Sequence, residues 1–520
     1  MKKILGFLIL FLPNLTFSHS RVLNIGSASE PRDLDPQLCS GANETRIVVN
    51  LFEGLVGKDP RYLRIIPGVS DSWKVSKDGL KYSFKLRKDA FWSNGAKVTA
   101  QDFVYSWTRL LTPSTAAEFS SFGFYFKNGK AYYEGKIKQN SELGFKAIDE
   151  HHLEVILENP NSYFLSLLAH PALFPVPRGA VEKFGVKWSR PEHLVSNGPF
   201  VVGQWRTNEL LELKKNAAYW DVKNVRPDQV NVRFVAKSET EERMFRAGKL
   251  DVTAQVPIEK IPFWEKEKTG ALQKHPYLGV YFFWLNVATT PLDNRMVRKA
   301  LNLAINREDI THKVIRVNQI EAQFFTPPGT GGFYPEPILP KDGSQIKKAK
   351  ELLARAGYPD GKGFPKLELL YNTDEGHKKI AESVQHMWKD NLGIEVSLVN
   401  QEWKVLLDTQ NLKNFSILRG GWVADYNDPS SFLEIFTTGN SNNHVSWSST
   451  EFDQKMAAAL REKQLKKRNV LFQSAENILL DQLPIIPIYI YTRVYLKNPK
   501  LEGWFPNIED YRTYKGIYLK

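Results

Sequence analysis

In the stretch LKYSFKLRKDAFWSNG (80–95), apolar Leu80, Tyr82, Phe84 and Leu86 alternate with polar residues. A period of two is that of a half-buried strand, and Asn94-Gly95 supplies residue types that tolerate the left-handed backbone of a closing turn. The period then changes. In VTAQDFVYSWTRLL (98–111), Phe103, Val104, Trp107 and Leu110 fall on one helical face, Thr99 stands as N-cap, and Asp102 three residues on makes a short form of the capping box. This part of the chain reads as mixed α and β, with no repeat or low-complexity tract.

From NGPFVVGQW (197–205) to PYLGVYFFWLNV (276–287) the chain is rich in strand formers and aromatics. DNRMVRKALNLAINREDI (293–310) then reads as an amphipathic helix through Val297, Ala300, Leu301 and Ala304, and GSQIKKAKELLARAGYP (343–359) as another, stopped by Gly357 and Pro359. A strand over Leu367–Tyr371, a helix through Ile380, Val384, Met387 and Trp388, a stop near Gly393 and the strand IEVSLV follow within about 35 residues, the unit of a parallel crossover in a wound α/β domain. A helix from Trp403 to Leu412 leads into the strand FSILRGG (415–421), which turns polar as WVADYNDP. Ligands of such sheets gather beyond the carboxyl ends of strands.

The 520 residues exceed one hydrophobic core, so two or three domains are expected. The first twenty carry Lys2 and Lys3, an apolar run from Ile4 to Leu12 and small polar residues, the pattern of a secretory signal cleaved after Ser18 or Ser20. The run falls short of the roughly 20 residues needed to span a bilayer. The one cysteine, Cys39, lies far beyond any lipoprotein cleavage site; it excludes an internal disulfide and reads as a small buried side chain. An exported, extracytoplasmic protein follows. The formal charge is +13, or +11 without the two signal lysines. It is spread along the chain, which argues for solubility or attraction to acidic surfaces and against nucleic acid as a partner.

Zinc-type His pairs, a Gly-x-Ser-x-Gly elbow, a phosphate-binding loop and a dinucleotide fingerprint are all missing from the sequence, so no catalytic residue, metal site or cofactor is assigned. His151 and His152 open an alternating strand and read as surface histidines. The segment 417–429 suits binding better. Asp425 is the candidate acceptor for a ligand ammonium, and Arg419, six residues upstream, for a carboxylate. Gly420 and Gly421 remove side chains where an extended ligand could pair with the strand, and Trp422 would form an apolar wall. A structural Arg–Asp pair with a core tryptophan accounts for the same residues equally well.

The motifs FEGLV, DGLKYSFKLRKDAFWSNGAKVTAQDFVYSW, NGPF, NAAYWD, YNTDEGHKKIAE, NQEWKVLLDT and GGWVADYNDPSSFL, in this order and spacing, resemble the periplasmic oligopeptide-binding proteins of peptide ABC importers, in bacterial solute-binding protein family 5. The resemblance implies an α/β, two-lobed, three-domain periplasmic-binding-protein fold, type II-like with an extra α+β domain. Its divisions would be the signal at 1–20, domain I at 21–52, 178–278 and 493–520, domain II at 53–177, and domain III at 279–492. It also implies a monomer that encloses an oligopeptide and delivers it to the membrane permease subunits of an ABC importer.

By resemblance Asp425 takes the peptide ammonium, Gly421 and Trp422 line the cleft, Arg419 meets the carboxylate of short peptides, His377 can meet it in longer ones, and Trp403 borders a side-chain pocket. The departures are Gln410, where the family has a second carboxylate-binding arginine, Phe119 for a pocket tyrosine, Ser40 and Ala42 for a glutamate and a valine, and Gly279 and Val423 for the disulfide cysteines of some relatives. Losing one cation from an enclosed carboxylate site removes about 2 kcal/mol or more, so a binder of murein tripeptides is the second expectation. A metal-chelate or haem receptor, a hydrolase and a surface adhesin are further alternatives.

Overall fold

The computed structural model describes residues 21–520 apart from Ser40, Ser162, Asn318, 338–342, Asp425 and Lys463. The expected signal segment with both cleavage sites, and the candidate site residues Ser40 and Asp425, therefore lie outside the described residues.

Two lobes form around separate cores. The first holds a four-stranded sheet in the order Val22–Ser27, Gln229–Phe234, Leu210–Lys215, Phe200–Arg206, and an antiparallel sheet in the order Ser70–Val75, Lys81–Leu86, His152–Ile156, Phe145–Ala147. Along Lys81–Leu86 exposure and burial alternate residue by residue, putting Tyr82, Phe84 and Leu86 in the core as the period of two requires. The helix Ala100–Leu110 starts on the expected Thr99–Asp102 capping box and buries Phe103, Trp107 and Leu110 completely, each worth roughly 1.5–3 kcal/mol of transfer free energy. Val104 is only partly buried, at the flank of that stripe. The Trp107 indole N–H donates to the Leu173 carbonyl at 2.9 Å, so the ring enters the core without an unpaired donor. Cys39 is buried in this lobe, His152 is exposed, and His151 is partly covered.

The second lobe is built on a six-stranded mixed sheet in the order Ile320–Glu321, Ile485–Leu496, Leu272–Leu285, Ile417–Val423, Leu367–Asn372, Val396–Gln401. Leu367–Asn372 and Val396–Gln401 run parallel, joined by the helix Glu375–Leu392, which is the crossover the periodicity implied. Ile380, Val384 and Trp388 of that helix are buried, whereas Met387 is only partly so. Gly393, at φ +68°, ends it in a left-handed conformation that other residues adopt at a cost. The expected helix over 293–310 is shorter, Arg295–Leu303, with Ala304 as its C-cap.

The chain passes between the lobes near Val252–Thr253 and returns near Leu496–Lys497, and the two passages are bonded to each other: Val252 bridges Lys497, and Thr253 N–H donates to the Leu496 carbonyl at 2.9 Å. Beyond the return, Leu501, Tyr514 and Ile517 join the core of the first lobe.

Candidate functional site

Between the lobes lies a cavity of about 340 Å³. The strand Ile417–Val423 forms one wall, and its pairing pattern determines what it offers. Gly279 to Leu285 pair antiparallel with Val423 to Ile417 along one edge. The Ala424 N–H donates to the Leu278 carbonyl, and Asn286 N–H to Ser416. Antiparallel bonding alternates residue by residue, so Gly420 and Trp422 use the same edge, while the main-chain groups of Gly421 and Val423 point away from it. On that far edge Leu367–Asn372 reaches only Ile417 and Leu418. From Arg419 to Val423 the far edge has no strand partner among the described residues, and Gly421, Trp422 and Val423 line the cavity. An extended chain could dock there by main-chain hydrogen bonds.

The glycines make room for neighbouring side chains. A Cβ on Gly421 would lie 2.5 Å from the Tyr491 hydroxyl oxygen and 3.3 Å from Arg419 Nη2, and one on Gly420 would lie 2.7 Å from Trp284 Nε1. Side chains of the same lobe, and not a second backbone, fill these directions. Gly279 and Val423 are direct cross-strand partners, so the positions that hold cysteines in some relatives do stand side by side here.

Arg419 donates from Nη2 to the Tyr491 hydroxyl at 2.7 Å and from Nη1 to Asn372 Oδ1 at 3.3 Å, with its guanidinium 4.9 Å from the centre of the Tyr281 ring. Its Nε is buried without a partner, and no carboxylate is within ion-pair distance of it among the described residues. Burial opposes its charge, but the oxygens of Tyr491, Tyr281 and Tyr489 and the Asp374 carboxylate outweigh that and hold it above its ordinary pKa. It is a desolvated cation with spare donor capacity, suited to an anionic group.

His377 sits behind this arginine, 5.5 Å from the Tyr281 ring, with Nδ1 3.7 Å from Asp374 Oδ1. Burial, and then the Arg419 cation, push its pKa down to about 3 against the pull of Asp374. At neutral pH it is an uncharged imidazole, able to hydrogen-bond but not to supply positive charge.

Trp403 and Gln410 line the cavity from the helix Trp403–Asn411. Ala42 and Phe119 line it from the first lobe, and the Phe119 ring lies 6.5 Å from that of Trp422, whose indole N–H donates to the Ser431 carbonyl at 2.6 Å. The structure thus brings Ala42, Phe119, Trp403, Gln410, Arg419, Gly421 and Trp422 around one space, with His377 one layer behind Arg419. The sequence reading missed a second group of lining residues: Tyr491, Arg493, Arg46, Asp510 and Arg512. No local motif could have found them, since positions 46, 493 and 512 meet only through the fold.

The lobes touch around the cavity. Lys404 Nζ lies 2.6 Å from Glu30, Asn411 donates to Glu118 at 3.0 Å, and Asn442 donates to the Glu118 carbonyl at 3.2 Å. Tyr163 stacks on Tyr426 with ring centres 4.6 Å apart, and Tyr125 bonds Glu434.

The sequence profile of the bacterial extracellular solute-binding proteins, family 5 Middle, matches residues 64–444. The periplasmic murein peptide-binding protein MppA and the periplasmic oligopeptide-binding protein OppA, both of Escherichia coli, are each 38% identical over 496 residues, covering 94% of this chain and 91% of theirs. The structure of the E. coli murein tripeptide binding protein MppA superposes with a TM-score of 0.93 at 38% identity, covering 96% of this chain and 99% of that one. Haemophilus influenzae OppA in complex with RPPGFSPFR gives 0.93 at 34% identity, with the same coverages. MppA in its unliganded open form gives only 0.65, at 38% identity and 96% and 98% coverage. With sequence and coverage held equal, that drop reflects lobe placement, and this chain has its lobes together, in agreement with the contacts across the cleft. The profile match and full-length similarity make this chain a member of family 5 of the bacterial extracellular solute-binding proteins.

Proposed function

We propose that the protein captures oligopeptides between its lobes outside the cytoplasm and hands them, as a monomer, to the permease subunits of an ABC importer. The observation that carries this reading is the strand edge at Gly421 and Val423, which has no strand partner among the described residues and lies inside the cavity between the lobes. Main-chain bonds at such an edge are common to all peptides, and waters in the remaining space adapt to different side chains. Arg419, desolvated and lacking a carboxylate neighbour among the described residues, supports recognition of the peptide carboxylate. Trp403, Gln410, Phe119 and Ala42 border the space for side chains, and His377, proposed for the carboxylate of longer peptides, lies one layer behind Arg419. Asp425 remains the proposed acceptor for the ammonium, and Ser40 a proposed peptide-binding position. The three-domain division and export by the segment 1–20 belong to the same proposal. Among the described residues no helix is long and apolar enough to cross a membrane.

Gln410 in place of a cation favours a second reading, a binder of murein tripeptides. Titration calorimetry on the mature protein with free and N-acetylated forms of the same peptides tests the main one. Removing the ammonium from an enclosed charge pair should cost about 2–5 kcal/mol. Equal affinities for both forms would eliminate Asp425 as the anchor, and no binding of any peptide would eliminate the function.

A further inference from the structure

The cavity has a second cationic wall. Arg46, Arg493 and Arg512 come from three distant parts of the chain and converge on one carboxylate, Asp510: Arg512 Nη2 lies 2.6 Å from Oδ1, Arg493 Nε 2.9 Å from Oδ2, and Arg46 also contacts Oδ2. Asp510 is almost fully buried, its side chain 4% exposed. Nearby, Lys58 and Glu509 pair at 2.5 Å and cancel. Asp510 neutralises one guanidinium and leaves two uncompensated at this wall, in addition to Arg419. An enclosed excess of cations is costly unless an anion joins it.

The three arginines are not equivalent. Arg512 is committed to structure, donating from Nη1 to the carbonyls of Phe505 and Tyr511 at 2.8 and 3.1 Å. Arg46 is also bonded to Asn43. The Arg493 side chain makes no hydrogen bond to any described residue beyond its ion pair with Asp510, its guanidinium lies 5.7 Å from the centre of the Tyr495 ring, and it lines the cavity. The other carboxyl whose field reaches it, Glu241, is kept protonated by burial, which pushes its pKa up to about 8, so it does not supply the missing charge at neutral pH. His275, beside Arg512, is lowered by burial and uncharged.

Arg493 and Tyr491, the partner of Arg419, are two residues apart on the strand Ile485–Leu496, and both line the cavity. Two residues of extended chain span roughly 7 Å. The strand thus sets the partner of Arg419 and Arg493 itself about 7 Å apart along its backbone, the order of separation between a peptide's terminal carboxylate and an acidic side chain one or two residues before it.

We propose that Arg493, held in place by Asp510 with Arg46 and Arg512, is a subsite for a second carboxylate, so that the cavity selects peptides bearing an acidic side chain in addition to the C-terminal carboxylate. The proposal rests on the peptide-binding function above. Charge-assisted bonds to an enclosed guanidinium correspond to a preference of tenfold or more over the amide isostere.

The test is calorimetry on the mature protein with free-ended tripeptides of alanine carrying Glu or Gln at each position in turn. At one position or more, the Glu peptide should bind at least tenfold more tightly than its Gln twin. In Arg493→Gln that ratio should fall to about twofold or less, the Glu peptide losing far more affinity than the Gln peptide. Arg493→Lys, which retains the charge, should retain part of the preference and replaces the first variant should Arg493→Gln fail to fold. Equal binding of every Glu/Gln pair by the wild type overturns the subsite and leaves peptide binding standing, as does a ratio that survives Arg493→Gln. If no peptide of either series binds, the functional reading falls and the subsite with it.

Discussion

Replacing Gly421 with alanine tests whether the strand wall is built as described. The new methyl would lie 2.5 Å from the Tyr491 hydroxyl oxygen, closer than side chains tolerate. Tyr491 has little room to retreat: its ring is 5.5 Å from Tyr489 and 6.0 Å from Tyr277, and the Gly279 backbone closes in so tightly that a Cβ there would be 2.7 Å from the Tyr491 ring. The Arg419–Tyr491 bond of 2.7 Å must therefore break. A bond from a charged donor contributes about 1.5–3 kcal/mol and overpacking costs about 1–3 kcal/mol, so Gly421→Ala should destabilise by about 3–5 kcal/mol. Tyr491→Phe removes the hydroxyl, after which the nearest ring atom to the new methyl is 3.4 Å away, an ordinary contact. Adding Gly421→Ala to Tyr491→Phe should then cost little. The double-mutant cycle, followed by denaturant unfolding of the mature protein, should show a coupling close to that whole cost, about 3–5 kcal/mol. Additive effects would refute the claim that the glycine exists to admit the tyrosine hydroxyl.

Arg419→Ala should weaken tripeptides by tenfold or more and longer peptides less, since longer ones carry their carboxylate past this position; calorimetry with tripeptides and pentapeptides checks this, and an equal loss at all lengths removes the role. Glu241 is raised to about 8 by burial, against the N–H groups of Ala254 and Gln255 and the field of Arg493, while its ordinary value is 4.5. The unfolded chain thus releases this proton before the folded one does. The associated stability is complete below about pH 4.5 and declines as pH rises toward 8, by at most about 1.4 kcal/mol per unit. Glu241→Gln should flatten the pH profile of the unfolding temperature between pH 5 and 8, and an unchanged profile contradicts a protonated Glu241.

Features that depend on near neighbours were legible in the sequence. The strand at Lys81–Leu86, the capped helix Ala100–Leu110 and the strand–helix–strand unit ending at Gln401 all follow from periods of two or 3.6 and from capping residues, because which face is buried repeats along the chain. The motif at 417–429 identified one wall of the cavity for the same reason, with its residues consecutive. The resemblance of its motifs to known peptide binders carried the remaining site residues.

What the sequence determined alone is therefore the set of elements, the family to which they belong and the residues of one strand. Tertiary structure decided why Gly420 and Gly421 lack side chains, since Trp284 and Tyr491 reach them from other strands, and it decided that His377 is uncharged, since only folding buries it beside Arg419. It also assembled Arg46, Arg493 and Arg512 on Asp510. Periodicity reports a residue's own burial, whereas charge state and convergence depend on partners tens to hundreds of positions away, and those are set by which strands pair and which lobes close.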